Sequence, residues 1–267
     1  MIETGPAMAS AAQYITELAA NGRYHFTTRE AARSLEISLV AARAALRRLA
    51  EKRAIASPQR GFHVILPPEY RRLGCLPPEQ FVPQLMATRG LTYYVGLLSA
   101  AQYHGSAHHR PQQFQVMVER PRPAISCGEV RVAFIARRAA ASVPVDLHNT
   151  PRGTIRVSTP EATALDLVGY PAHAGGLDAV ATVLSELVDR LDPVKLAEAA
   201  RAVPVPWTQR LGYVLELVGG GDRAEPLAHV VRERAREYVP LATGSRRTKE
   251  RSTRWRLEVN ASIEAET

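Results

Sequence analysis

The chain has 267 residues, 46% of them hydrophobic, with 34 Lys+Arg against 26 Asp+Glu and a formal net charge of +8. That much apolar material fills one large domain or two ordinary ones, and it excludes a disordered chain, a collagen and a small disulfide scaffold. No apolar run approaches the roughly 18–20 residues that cross a bilayer, so no membrane is expected as a partner.

Met1 to Arg23 lacks the basic segment and leucine-rich core of a secretory signal, and the expectation is a cytoplasmic protein. A first helix is expected from about Ala11 to Ala20, with Tyr14, Ile15, Leu18 and Ala19 on one stripe and Asn21-Gly22 closing it. Thr27-Thr28-Arg29-Glu30 has the form of a capping box and opens a short helix carrying Ala31, Ala32 and Leu35. Glu36-Ile37-Ser38 then makes a turn, with Ile37 expected to point inward and Ser38 to cap the next helix.

That helix, Leu39 to about Arg53, puts Ala42, Ala45, Leu46 and Leu49 on one buried stripe and Val40, Ala41, Arg43, Ala44, Arg47 and Arg48 outward. A helix entering a major groove needs slim residues near its N-terminus and cations that reach bases or phosphates. Ile55-Ala56-Ser57, the Pro58–Gly61 turn and Phe62–Leu66 read as a hairpin with Arg60 at its tip. Three helices and a hairpin in this order are those of a winged helix-turn-helix. The expected DNA-facing set is Thr28, Arg29, Ser38, Val40, Arg43, Ala44, Arg47, Arg48 and Arg60. Within it Arg43 and Arg47 read base edges, Arg60 meets the minor groove or a phosphate, and Thr28 and Arg29 meet phosphates at a helix N-terminus. Of the 34 cations 31 are arginines; a GC-rich genome produces that bias whatever the function, but the net cation excess separately favours an anionic partner.

Leu66-Pro67-Pro68 stops the last strand and marks a boundary, giving a DNA-binding domain over 1–67, a linker over 68–78 and a larger C-terminal domain over 79–267. In the latter, helices are expected over Pro78–Thr88 and Tyr93–Ala101, and alternating strands over Phe114–Glu119, Val130–Ile135 and Thr154–Ser158. Helices follow after Thr159-Pro160, along Leu177–Leu191, after Asp192-Pro193 and through Leu211–Val218, where Gly219–Gly221 ends the last. Arg254–Val259 reads as a final strand. The fold class is α+β, a winged helix-turn-helix followed by a mixed α/β domain. Two cysteines, Cys75 and Cys127, make no framework and read as free thiols, a single bridge between them staying open.

Four segments in order behind the N-terminal pattern resemble the AbiEi family of antitoxins from abortive-infection toxin–antitoxin systems: Tyr93–Gly105, Ser158–Leu167, Arg210–Leu217 and Trp255–Asn260. The resemblance spans about residues 11–262. It implies that the N-terminal domain binds double-stranded DNA at inverted repeats in its own promoter and represses its own operon, and that the C-terminal domain counteracts a nucleotidyltransferase-like toxin. Palindromic sites mirror two-fold protein arrangements, so a homodimer or a cooperative pair on DNA is expected.

No enzyme constellation is found, and no cofactor is expected. Gly219–Asp222 lacks the Lys and Ser/Thr of a phosphate loop, and Gly105-Ser106 is followed by no paired carboxylates of a nucleotidyltransferase. His104, His108 and His109, with Asp146 and His148, lack an accompanying CxxC and are read as polar loop groups, not as a metal site. Arg246, Arg247, Lys249 and Arg251 lie in a basic segment that is either a solvated loop or a set of additional phosphate contacts. Two rivals stay open: a toxin-binding or general regulatory module without operator recognition, and an enzyme modifying nucleotides or RNA.

Overall fold

The computed structural model describes residues 10–106, 111–246 and 248–265. Its contacts divide the chain into two compact units. The first takes in the chain up to Thr92 and two later excursions, Arg120–Ala136 and His148–Ile155; the second holds Tyr93–Glu119, Arg137–Leu147 and the chain from Arg156 onward. The division falls later than the proline-marked boundary near residue 67. Helices and largely antiparallel strands make the whole an α+β protein.

In the first unit, α1 (Ala11–Ala20), α2 (Thr28–Ser34) and α3 (Leu39–Glu51) surround one apolar core. Tyr14, Ile15, Phe26, Ala31, Leu46, Leu49, Ile55 and Ile65 are buried together, with Leu18, Ala19 and Leu35 packed at the margin. Tyr14 meets Phe26 edge-on at 5.4 Å, and each such buried side chain contributes on the order of 1.5–3 kcal/mol. The helix starts follow their local signals. Thr27 Oγ1 accepts from the Glu30 amide at 3.2 Å while Glu30 accepts from the Thr27 amide at 2.6 Å, and Ser38 Oγ accepts from the Ala41 amide at 3.2 Å. Strands β2 (Ile55–Gln59) and β3 (Phe62–Ile65) form the hairpin, with a register shift between Ala56 and Gln59. A third strand the pattern did not suggest, β1 (His25–Thr27), pairs antiparallel with β3. Ile37, expected inward, is 38% exposed. Glu36 adopts a left-handed φ of 54° there and swings the turn outward.

After the prolines come α4 (Val82–Thr88), β6 (Ile125–Cys127) and β7 (Val130–Ala136), the last two paired as a hairpin with β6 beside β2. Cys75 and Cys127 are free and buried. Leu73 carbonyl accepts from the Glu129 amide at 2.8 Å, bringing the two thiol-bearing segments together.

In the second unit β4 (Tyr93–Val95) pairs antiparallel with β5 (Phe114–Val118) and, at Val95↔Val157, parallel with β9 (Gly153–Ser158). This corrects the expected helix over Tyr93–Ala101: Tyr93-Tyr94-Val95 is a buried strand, and the helix α5 (Leu97–Tyr103) starts only after Gly96. Aromatic and β-branched residues suit a pleated, covered surface, and in so short an apolar run the periodicity cannot separate strand from helix. With β8 (Val145–Thr150) preceding β9, the remainder is α6 (Pro160–Gly169), α7 (Leu177–Leu187), α8 (Pro193–Arg201), α9 (Val205–Leu217) and α10 (Gly221–Arg234). The expected caps appear: Thr159 accepts from the Ala162 amide, and Asp192 from the amides of Val194 and Lys195. Helix α10 had no counterpart in the pattern because a glycine opens it and Pro226 lies inside it. Of the expected last strand over Arg254–Val259 only β12 (Leu257–Glu258) is extended, Arg254–Arg256 lying in a turn; β11 (Arg251–Ser252), before that stretch, and β10 (Val239–Pro240) flank β12.

Buried polar contacts within this unit tie the first family-like segment to the second and the third to the fourth, and anchor Arg210 to the backbone at Pro240. Tyr94 donates to Asp166 at 2.7 Å, His104 Nε2 to the Ser158 carbonyl at 2.6 Å, Arg210 Nη2 to the Pro240 carbonyl at 3.2 Å and Trp255 Nε1 to Glu216 at 2.6 Å.

Candidate nucleic-acid interface

The first unit carries an open groove of about 930 Å³ between α2, α3 and the β2–β3 hairpin. Five arginines line it: Arg29 from α2, Arg43 and Arg47 from α3, Arg60 from the hairpin tip, and Arg89 from the end of α4. None of its lining residues is acidic, so the cationic field adds along the groove without internal neutralisation. Among the described residues the one acid in contact with these arginines is Glu51, 3.7 Å from Arg47. Both side chains are more than half exposed, and such an i,i+4 pair leaves the guanidinium free to exchange partners.

The expected set separates into three groups. Arg29, Arg43, Arg47 and Arg60 are exposed and share the groove. Ser38, Val40 and Ala44 lie on α3 or its cap without lining the groove, Val40 being 74% exposed. Arg48 lies elsewhere, beside Ser10, Ala12 and Ile37 on the other flank of α3. A step of 100° per residue along a helix accounts for this: positions 43 and 47 share a face that position 48 leaves.

Thr28 differs from expectation. It is 8% exposed, its amide donates to the Gly61 carbonyl at 3.1 Å, and its hydroxyl lies 2.8 Å from His63 Nε2. The other ring nitrogen of His63 lies 2.8 Å from Ser57 Oγ, and the ring stacks on Phe26 at 5.3 Å. Burial holds the His63 imidazole below its usual range, in the neutral form. Thr28, His63 and Ser57 thus join α2 to both hairpin strands under the groove floor. The Glu30 carboxylate already accepts from the Thr27 amide, and the Thr28 and Glu30 amides donate to the Gly61 carbonyl and Thr27 Oγ1, so three of the amides at the start of α2 are in use.

Arg89 was invisible to the sequence pattern. Its Nε donates to Gln59 Oε1 at 3.2 Å and its Nη2 to the Arg60 carbonyl at 3.0 Å, gripping the turn at the hairpin tip. The interaction joins residues 29 and 30 positions apart, beyond any local signal. Arg152 is a second such residue in this unit: it stacks on Tyr24 at 3.3 Å and donates to Gln80 at 2.7 Å.

The basic segment belongs to the second unit. Arg246 and Lys249 are exposed, whereas Arg251 stacks on Tyr238 at 4.7 Å and lies 3.9 Å from Glu258. Arg247 lies outside the described residues, as do His108 and His109. His104 is 5% exposed and spends Nε2 on the backbone. Among the described residues no three His, Cys, Asp or Glu gather as metal ligands, and no helix is long and apolar enough to cross a membrane.

Fold and groove together define an α+β protein of two units, the first carrying an acid-free arginine groove and the second a mixture of helices and strands. Residues 94–217 match the family described as the AbiEi antitoxin C-terminal domain, so the chain carries an AbiEi antitoxin domain. An antitoxin domain implies a toxin partner. The crystal structure of the RV2827C protein from Mycobacterium tuberculosis is similar, with a TM-score of 0.64 at 18% identity over 94% of each chain, a likeness of fold. No curated protein matches the sequence.

Proposed function

We propose that the protein is a sequence-specific DNA-binding antitoxin. In this reading α1–α3 and the β2–β3 hairpin are a winged helix-turn-helix, α3 enters the major groove, and two copies occupy an inverted repeat in the protein's own promoter. Occupancy represses the operon, while the C-terminal domain counteracts a nucleotidyltransferase-like toxin. The observation that carries the reading is the convergence of Arg29, Arg43, Arg47 and Arg60 from three elements on one groove without a carboxylate. Arginine forks match guanine edges and phosphate oxygens bidentately. Arg43 and Arg47 are the base readers; Arg29, Arg60 and Arg89 contact phosphates, and Thr28 acts indirectly by fixing the wing. Arg246, Lys249 and Arg251 remain candidates for additional phosphate contacts.

Titration of the purified protein with its own upstream DNA and a scrambled duplex, at two salt concentrations, tests this. The three phosphate contacts of Arg29, Arg60 and Arg89 give a slope of log K against log salt of about −2.7 at about −0.9 per contact, steeper where Arg246, Lys249 and Arg251 add to them. Equal affinity for both duplexes removes the repressor. A second reading, a protein-binding surface without operator recognition, draws on Ile37, Leu39 and Val40, which are 38%, 43% and 74% exposed at the start of α3. It requires toxin binding to fall, and any DNA binding to persist, when Val40 is made polar.

A further inference from the structure

The second unit holds a cavity of about 280 Å³ that DNA recognition does not use. Its wall is apolar, with Leu165, Ala199, Val203 and Pro204 among its residues, and two aromatic side chains, Tyr170 and Trp207, complete it. Arg137 lines it from within, only 7% exposed, while the neighbouring Arg138 is exposed.

A buried guanidinium needs compensation, and what Arg137 has is incomplete. Its Nε lies 2.8 Å from Oδ1 of Asp166, a carboxylate with no exposed surface. Neither of those two atoms finds a partner beyond the other, so the compensation of both charges rests on this one contact. The other carboxylate oxygen accepts from Tyr94. Burial pushes the Asp166 carboxyl up to about 6 against the pull of Arg137, so the countercharge itself is weakened. Arg137 is further held between rings, 5.9 Å from the Tyr94 centroid and 5.7 Å from that of Trp207. Among the described residues Asp166 is its one carboxylate partner, and that partner faces Nε, leaving the paired Nη groups of the fork for a planar anion.

We propose that this cavity binds a small monocarboxylate on an apolar or aromatic body, its carboxylate against the Arg137 fork and its body between Trp207, Tyr170 and the helix α8 wall. The volume suits roughly ten non-hydrogen atoms at interior density. A doubly charged phosphate is disfavoured, because its second charge finds only exposed Arg138 and loses its hydration. The site lies in the antitoxin unit and does not depend on DNA binding.

Benzoate is the probe, followed by ligand-observed NMR on the full chain, with acetate, benzyl alcohol and inorganic phosphate as comparisons. Benzoate is expected to saturate with a Kd of roughly a millimolar. Acetate lacks the body, benzyl alcohol the charge, and phosphate the shape, so each should bind at least about tenfold more weakly. Arg137→Met should abolish benzoate binding. Because that variant leaves Asp166 alone in the interior, Ala202→Phe supplies a second test: Ala202 lines the cavity from an exposed position, and the larger ring blocks it with the ion pair intact. Loss of benzoate binding in folded Ala202→Phe supports the site. No saturable binding to the wild type, benzyl alcohol binding as well as benzoate, or unchanged binding in folded Ala202→Phe each overturns it.

Discussion

Replacing Arg43 and Arg47 together by alanine separates recognition from folding. Both side chains are exposed, and among the described residues the one ion pair either makes is Arg47 with Glu51, whose side chains are 78% and 65% exposed. Such a pair is worth about 0–1 kcal/mol, so the double variant should keep its stability to within about 1 kcal/mol. Each arginine bidentate to a base edge contributes about 1–3 kcal/mol of discrimination, so operator affinity should fall by about 2–6 kcal/mol, roughly 30-fold to more than 10⁴-fold. Affinity for scrambled DNA should fall far less, since phosphate-facing Arg29, Arg60 and Arg89 remain. The assay is paired fluorescence-anisotropy titration on operator and scrambled duplexes at fixed salt. An operator affinity unchanged within a factor of two, in a protein with an unaltered melting curve, refutes the placement of α3 against the bases.

Other expectations follow from the same geometry. Arg60→Ala should weaken binding about equally across sequences and reduce the salt slope by about one, read from titrations at several salt concentrations. His63 is held neutral below the ordinary value of 6.5; the unfolded chain therefore takes up the proton first, and its stabilising contribution, complete above that value, is lost as pH falls through the folded one. Urea melts between roughly pH 7.5 and 5.5 should show a stability loss that is smaller in His63→Gln. In the second unit, Asp166→Asn leaves the Arg137 guanidinium without countercharge and should cost about 3–5 kcal/mol, with a smaller sum when Arg137→Met is added. A Cβ at Gly212 would lie 2.0 Å from the Trp255 ring, so Gly212→Ala should destabilise by about 1–3 kcal/mol or more in the same melts.

The N-terminal helices were legible because their signals are local. A capping box, a Ser cap and stripes at helical spacing act within four residues, and Tyr14, Ile15, Ala42, Leu46 and Leu49 are buried where the spacing puts them. The groove itself was legible in part. Arg43 and Arg47 follow from the helix face, but the burial of Thr28 depends on His63, 35 positions away, and Arg89 reaches the wing tip from beyond the proline boundary. The misread start of the second unit has another cause: three strand residues are too few for a period to declare itself. The family-like segments carried a resemblance without a physical account. The structure supplies one, since Tyr94, His104, Ser158, Asp166 and Arg210 are buried partners of one another or of the backbone, and buried Trp255 donates to Glu216.

The grip of Arg89 on Gln59 and the Arg60 carbonyl bears on how the recognition head can be excised. A fragment cut at the prolines would keep its three helices but release the hairpin tip from that clasp and remove the β6 strand that flanks β2. Its wing would then sample many orientations in the free state, and ordering it on DNA would cost affinity even with every reading side chain present. Extending the excised piece to Thr92 restores the clasp without the β6 strand, so comparing the two lengths measures how much of the grip on an operator comes from Arg89, as a brace for the wing and as a phosphate contact.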